Sequence, residues 1–186
     1  TSLYAGLSIQ GSKSYALLTA AGATELEHLK AFQLTYDTIA GERVYISRTG
    51  FTGDLGYEVW ARPEQVSVIW AALTNTEIEM TPMGLNALDV LRVECGYVVP
   101  GDDFGLEDGE DQGFRRSPAE MNLDWMVSLD REENFMGKAA IIAEHESASS
   151  THAFMGVELD DTSDTGAGSL YEAPITSITG EVIGFV

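Results

Sequence analysis

Between Arg48 and Glu58 the sequence reads RTGFTGDLGYE, three glycines and two carboxylates in eleven residues, set between two segments of β character. A glycine-rich turn that cradles phosphate presents bare backbone N–H groups and keeps acid away from the bound anion. This turn carries Asp54 and Glu58, so it suits a partner that offers hydrogen-bond donors, which an ionised carboxylate accepts. Glycines at 50, 53 and 56 permit positive φ and a tight reversal. Asp54 reads as a solvated hairpin charge.

Other chemistry is sparse. His28, His145 and His152 lie far apart without metal-ligand spacing, and no nucleophile elbow, Walker loop or Gly-x-Gly-x-x-Gly turn occurs. The expected metal content is none. Cys95 is the single cysteine; it excludes an internal disulfide and reads as a buried structural thiol on an apolar helix face.

Thirty Asp and Glu face ten Lys and Arg, for a formal net charge of −20. Such a surface repels nucleic acid and anionic lipid, so neither is an expected partner. It suits the salty cytoplasm of a halophilic source, where screening removes the self-repulsion and added salt raises stability. No apolar run approaches a membrane span and the start lacks a basic signal region, so the expected location is cytoplasmic. The 186 residues suffice for one core or for one domain and part of another. The absence of an initiating methionine and the stop within a strand pattern at Val186 suggest a chain cut at both ends.

The elements that must position the turn follow from periodicity. Leu3 to Ile9 alternate as a strand, Ser14 to Ala20 form a short helix capped by Ser12, and Thr24 caps a second helical piece through Leu29. Val44 to Ser47 and Tyr57 to Ala61 make a hairpin-like pair around the glycine loop. Pro63 opens a helix over 64–74, in which Val66, Ile69, Trp70 and Leu73 share a stripe. Leu85, Leu88, Leu91 and Cys95 predict a buried helix over 84–95 ended by Gly96, with Arg92 pairing locally with Asp89 or Glu94. Residues 101–112 read as an acidic loop, 135–143 as a short helix and 144–152 as a linker. AFMGVELD and EVIGFV read as strands.

The ordered set RTGFTGDLGYEVWARPE, GLNALDVLRVECGY, PGDDF, RSPAEMNLDWMV and NFMGKAA resembles the glycine-cleavage T-protein (aminomethyltransferase) family of folate-dependent one-carbon transferases. LSIQGSKSYALL is similar to the segment preceding this block, and PITSITGEVIGFV to the start of the family's C-terminal β-barrel. The resemblance implies an α+β fold, with a partial folate-binding aminomethyltransferase-type domain over 1–146 and the beginning of a β-barrel domain over 147–186. It implies tetrahydrofolate as cofactor, a small amine or methylated donor as substrate, and a lipoyl carrier protein as a possible partner. It also implies that Glu58 binds the pterin edge, where a ring N–H and an exocyclic amino group lie side by side and one carboxylate accepts both. Tyr57, Trp60 and Arg116 join it as folate or substrate contacts. Strand alternation places Glu58 and Trp60 on one face and Tyr57 and Val59 on the other. Trp60 serves either as a ring wall or as core, and the Arg115–Arg116 pair either meets the glutamate tail of folate or forms a local ion pair.

Two departures qualify the resemblance. Leu88 stands where the family's GL-x-A-R-D pattern carries a ligand-contacting arginine, and a leucine cannot replace a cationic donor fork; this favours a demethylase or unassigned transferase branch. The family's catalytic aspartate corresponds to a position upstream of Thr1. A folate-binding non-enzyme is the alternative class, although its relatives in iron–sulfur protein maturation carry a cysteine motif where this chain reads ENFMGKAA. A transferase-like part of a dehydrogenase fusion is a further alternative.

Overall fold

The computed structural model describes residues 3–105, 115–158 and 173–185, and divides into two compact units, Thr1–Arg115 and Arg116–Val186. The expected boundary at residue 146 falls in the last turn of a helix of the second unit. No helix of the described residues is long and apolar enough to cross a membrane.

The first unit is built on an antiparallel sheet of β1 (Ala5–Gln10), β2 (Leu34–Ile39), β3 (Glu42–Ser47) and β4 (Gly56–Ala61), in the order β1-β4-β3-β2. Alternation assigns the faces. Ile9, Tyr57, Val59, Ala61, Val44, Ile46 and Ile39 are buried against Leu17 and Leu18 of α1 (Ser14–Ala20) and Ile69 and Leu73 of α2 (Val66–Thr74). Each fully buried aliphatic side chain contributes about 1.5–3 kcal/mol, so this face organises the unit. The other face is open and carries the row Gly6, Trp60, Tyr45, Tyr36 and the row Ser8, Glu58, Ser47, Leu34.

Most of the expected elements of this unit form, and several of their details change. The β3–β4 pair encloses the glycine loop. A 3-10 turn, Pro63–Gln65, leads into α2, and the Arg62 N–H donates to Gln65 Oε1 at 3.0 Å. The helix over 84–95 forms as α3 (Leu85–Glu94), but it is not a buried helix: Leu85 is 83% exposed, Val90 and Val93 lie outside, and its one buried residue is Arg92. Ser12 does not cap α1, whose N-cap is Lys13 without a side-chain bond. Residues 24–29 form turns instead of a helix. The buried Asp37 carboxylate of β2 takes the N–H groups of Thr24 and Glu25 at 2.9 and 2.8 Å, and a helix so short has little stability of its own. The sequence reading left β2 unassigned, yet the Ala40–Gly41 turn, with φ of 51° and 81°, is the tight reversal that pairs it with β3.

In the second unit, α4 (Lys138–Ser147) starts three residues later than the expected helix and absorbs the first part of the expected linker. Gly137, at φ 90°, sets that start, and Phe135 precedes the helix. Residues 153–158 are irregular rather than a strand. Phe154 N–H donates to the Glu120 carbonyl at 2.7 Å and its own carbonyl accepts from Asn122 Nδ2 at 2.6 Å, ties to a turn rather than a strand ladder. Pro174–Thr176 (β5) and Val182–Phe185 (β6) pair as an antiparallel hairpin with an irregularity at Ile175/Thr176. Most of the expected acidic loop, residues 106–112, lies outside the described residues, as do the last two residues of AFMGVELD.

Candidate functional site

Glu58 occupies the centre of the open sheet face, flanked in register by Ser8 of β1 and Ser47 of β3. Its Oε2 accepts the Thr49 hydroxyl at 2.6 Å, and Thr49 Oγ1 lies 2.7 Å from Ser47 Oγ. Thr49 has one hydroxyl proton and spends it on Glu58, so the Ser47 hydroxyl donates to Thr49. The result is a chain of donors running Ser47 to Thr49 to Glu58, which leaves Oε1 and the remaining lone pairs for a partner.

Beside the carboxylate lies a hollow of about 140 Å³ lined by Gly6, Leu7, Ser8, Glu58 and Trp60. Trp60, 41% exposed, lies across Gly6, where a Cβ would come within 3.0 Å of the indole. Trp60 is therefore a wall on the open face rather than core. The hollow is smaller than the roughly 300–1,000 Å³ of small-molecule sites, so it suits one edge of a flat ring and not a whole folate. A larger hollow of about 390 Å³ by the β2 edge is lined by Thr24, Glu25, Glu27, His28, Leu29, Leu34 and Thr35 and has no Trp, Tyr or Phe in its wall. The chemistry favours the smaller one.

The glycines of the loop have a different reason from the one the sequence implies. Only Gly53 has positive φ, 76°. A Cβ at Gly50 or Gly56 would stand 2.0 or 1.7 Å from Gln10 Oε1, so both are glycine because the Gln10 amide fills that space. Gln10 Nε2 donates to Ser8 Oγ at 3.0 Å and to the carbonyls of Thr49 and Tyr57 at 3.3 Å, which ties the loop to β1. A Cβ at Gly53 would stand 2.0 Å from Cys95 Sγ. The loop thus closes on this chain's own side chains, not on a ligand ring.

The second anchor of the loop comes from α3. Cys95 is exposed as a residue, contrary to the buried thiol expected, but its Sγ reaches the Thr52 carbonyl at 3.3 Å. Phe51 stacks on Tyr97 with centroids 5.2 Å apart. Arg92 holds the end of the helix: its Nε donates to Asp89 at 2.7 Å, and Nη1 bonds Asp103 and the Tyr97 carbonyl. Glu94 is not its partner. Hydrogen bonding to Asp103 raises the guanidinium pKa against the opposing effect of burial, with Asp89 adding to the rise. Leu88, half-buried, sits one turn before Arg92 on the same helix.

Of the remaining expected site residues, Tyr57 does not face this hollow. Tyr57 is 2% exposed on the core face, and burial raises its pKa while Arg48 works the other way. Its ring therefore lies on the opposite side of the sheet from the Glu58 carboxylate. Arg116, half-buried, belongs to the second unit. Thr49 and Gln10 were missed by sequence reading. The signal for Thr49 was its place directly after the β3 pattern, one turn of loop from the acid it serves.

Comparison with known proteins adds an independent finding. The family described as GCVT N-terminal domain matches residues 1–131. The chain is 37% identical over 141 residues to an aminomethyltransferase of Halothermothrix orenii, which covers 75% of this chain and 37% of that protein. It is 32% identical over 142 residues to an aminomethyltransferase of Saccharopolyspora erythraea, with 75% and 36% covered. Against a probable aminomethyltransferase of Haloarcula marismortui the identity is 36% over 132 residues, with 71% and 34% covered. The match thus spans little more than a third of these curated relatives.

Proposed function

Because this chain belongs to the glycine-cleavage T-protein family, we propose that the complete protein is a one-carbon transferase that moves an aminomethyl or methyl group to tetrahydrofolate, with Glu58 as the pterin anchor. The observation that carries this reading is the Glu58 carboxylate on the open sheet face, braced by Thr49 at 2.6 Å and bordered by a hollow with Trp60 as its wall. A carboxylate so placed accepts the paired N–H and amino donors of a pterin edge, and the indole offers a flat surface for the ring.

The cofactor supplies a nucleophilic nitrogen that receives the one-carbon unit. The protein's part in this reading is to bind and orient. Holding the ring by two hydrogen bonds to one braced carboxylate fixes both its distance and its rotation, so the gain in rate is positional. With Leu88 in place of the family's arginine, the donor is held without that cationic fork, which leaves a small amine or methylated compound as the substrate class. A lipoyl carrier protein is the partner if the donor is an aminomethyl group. The domain assignment, 1–146 for folate binding and 147–186 for the onset of a barrel, and a cytoplasmic location belong to the same proposal.

The test is turnover and tetrahydrofolate affinity of the complete protein and its Glu58→Gln variant. Loss of a paired charged contact costs about 1.5–3 kcal/mol, or roughly ten- to a hundredfold in affinity. Gln keeps the volume and one acceptor but turns a donor toward the pterin donors. Equal affinity of the two proteins would remove Glu58 from the site.

A further inference from the structure

We propose that Thr49 is a positioning residue for Glu58: its hydroxyl, fixed by Ser47 and by the Gln10 amide behind it, sets the rotamer in which the carboxylate meets the ligand. The inference rests on the reading of Glu58 as the pterin anchor. Glu58 projects from a strand onto an open face, half-buried beside the hollow that it lines. A glutamate there loses rotamer freedom on binding, a cost that a preformed hydrogen bond removes in advance.

Three contacts make the brace directional. Thr49 donates to Glu58 Oε2 at 2.6 Å, inside the range of charge-assisted O–H···O⁻ bonds. Because that proton is committed, Ser47 must donate to Thr49, at 2.7 Å, and its donation polarises the Thr49 hydroxyl toward the carboxylate. The Thr49 backbone is held in turn by Gln10 Nε2, 3.3 Å from its carbonyl. Ser47 stands opposite Glu58 in the β3–β4 register, so the relay starts from the strand that the carboxylate's own strand pairs with. The pair of oxygens is thereby presented with its plane fixed, which a bidentate partner requires.

Tetrahydrofolate binding by calorimetry to the complete protein distinguishes the brace from a merely structural hydroxyl. Thr49→Val, isosteric but without the donor, is expected to weaken binding about tenfold, and Thr49→Ser to restore it to within about twofold. Ser47→Ala, which keeps Thr49 in place, is expected to weaken binding about two- to threefold, and it serves should the valine variant fail to fold. In the Glu58→Gln background the Thr49→Val loss is expected to shrink, because the two act through one group. Wild-type affinity in Thr49→Val, or in Ser47→Ala where the valine variant is unfolded, alongside weakened binding by Glu58→Gln would overturn the brace and leave the anchor standing. Strictly additive losses would also overturn it. Wild-type affinity in Glu58→Gln would overturn the anchor itself and the brace with it.

Discussion

The residues up to Arg115 and those from Arg116 onward are held together by different physics. The first unit buries a continuous apolar cluster beneath its sheet, from Ile9 through Leu73. In the second, Met121 is the one buried hydrophobic residue among those described, and the organising group is a carboxylate. Glu120 accepts the N–H groups of Ser117, Thr151 and His152 at 3.2, 2.9 and 3.1 Å and the Thr151 hydroxyl at 3.1 Å, so it clips residues 151 and 152 to the turn that begins at Ser117. Burial pushes the Glu120 pKa up, but the N–H donors of Thr151 and Ser117, with the Thr151 hydroxyl and His152, outweigh it and bring it down to about 2. An apolar core tolerates acid; a carboxylate clip does not.

The largest test of that contrast is in the first unit. Ile46, fully buried at the middle of β3, is expected to cost about 2–5 kcal/mol as Ile46→Ala, read by denaturant unfolding of the complete protein. A loss under about 1 kcal/mol would mean that the sheet's inner face is not the core.

Next comes the clip. Because the folded pKa of Glu120 lies below its ordinary value of 4.5, its stabilisation is complete above that value. It drains as the pH falls and is gone below about 2. The contribution is about 2 kcal/mol, and Glu120→Gln is expected to flatten the dependence. Hydrogen exchange resolved by segment should show residues 151–154 opening before β3 as the pH is lowered from 5 to 3. Equal protection across that range would break the comparison.

A third test concerns the loop rather than either core. Gly56→Ala must displace the Gln10 amide and is expected to cost about 1–2 kcal/mol, the worth of the bonds that amide makes. In a Gln10→Ala background the same substitution should cost much less, since the space is then vacant. Additive losses would show that some other neighbour, not Gln10, requires the glycine. The smallest effect is expected at Leu85, where Leu85→Ser on the exposed side of α3 should change stability by no more than about 0.5 kcal/mol.

Legibility in the sequence followed the same divide. Period-two and period-3.6 patterns gave β3, β4 and α2 because apolar burial repeats with the backbone. The same rule misread α3: its leucines share a face, but Leu85 is exposed and Leu88 and Leu91 are only half-buried, and the helix is fixed by Arg92 and by Cys95 and Tyr97 at its end. A polar anchor has no period. Glu120 and Asp37 escaped notice for that reason, since each satisfies backbone N–H groups distant in sequence. At the site, alternation placed Glu58 and Trp60 together and set Tyr57 apart, as the sheet shows. The reason for Gly50 and Gly56 could not be read, because it is a glutamine some forty residues upstream that fills the space of their missing side chains.

The measurement that bears most directly on the central claim is a crystal structure of the complete protein with tetrahydrofolate. The account predicts the pterin ring N–H and amino group within about 2.7–3.0 Å of the two Glu58 oxygens, with the Thr49 hydroxyl still on Oε2 and the ring beside Trp60. A pterin edge held by other residues, with Glu58 facing solvent, would contradict it.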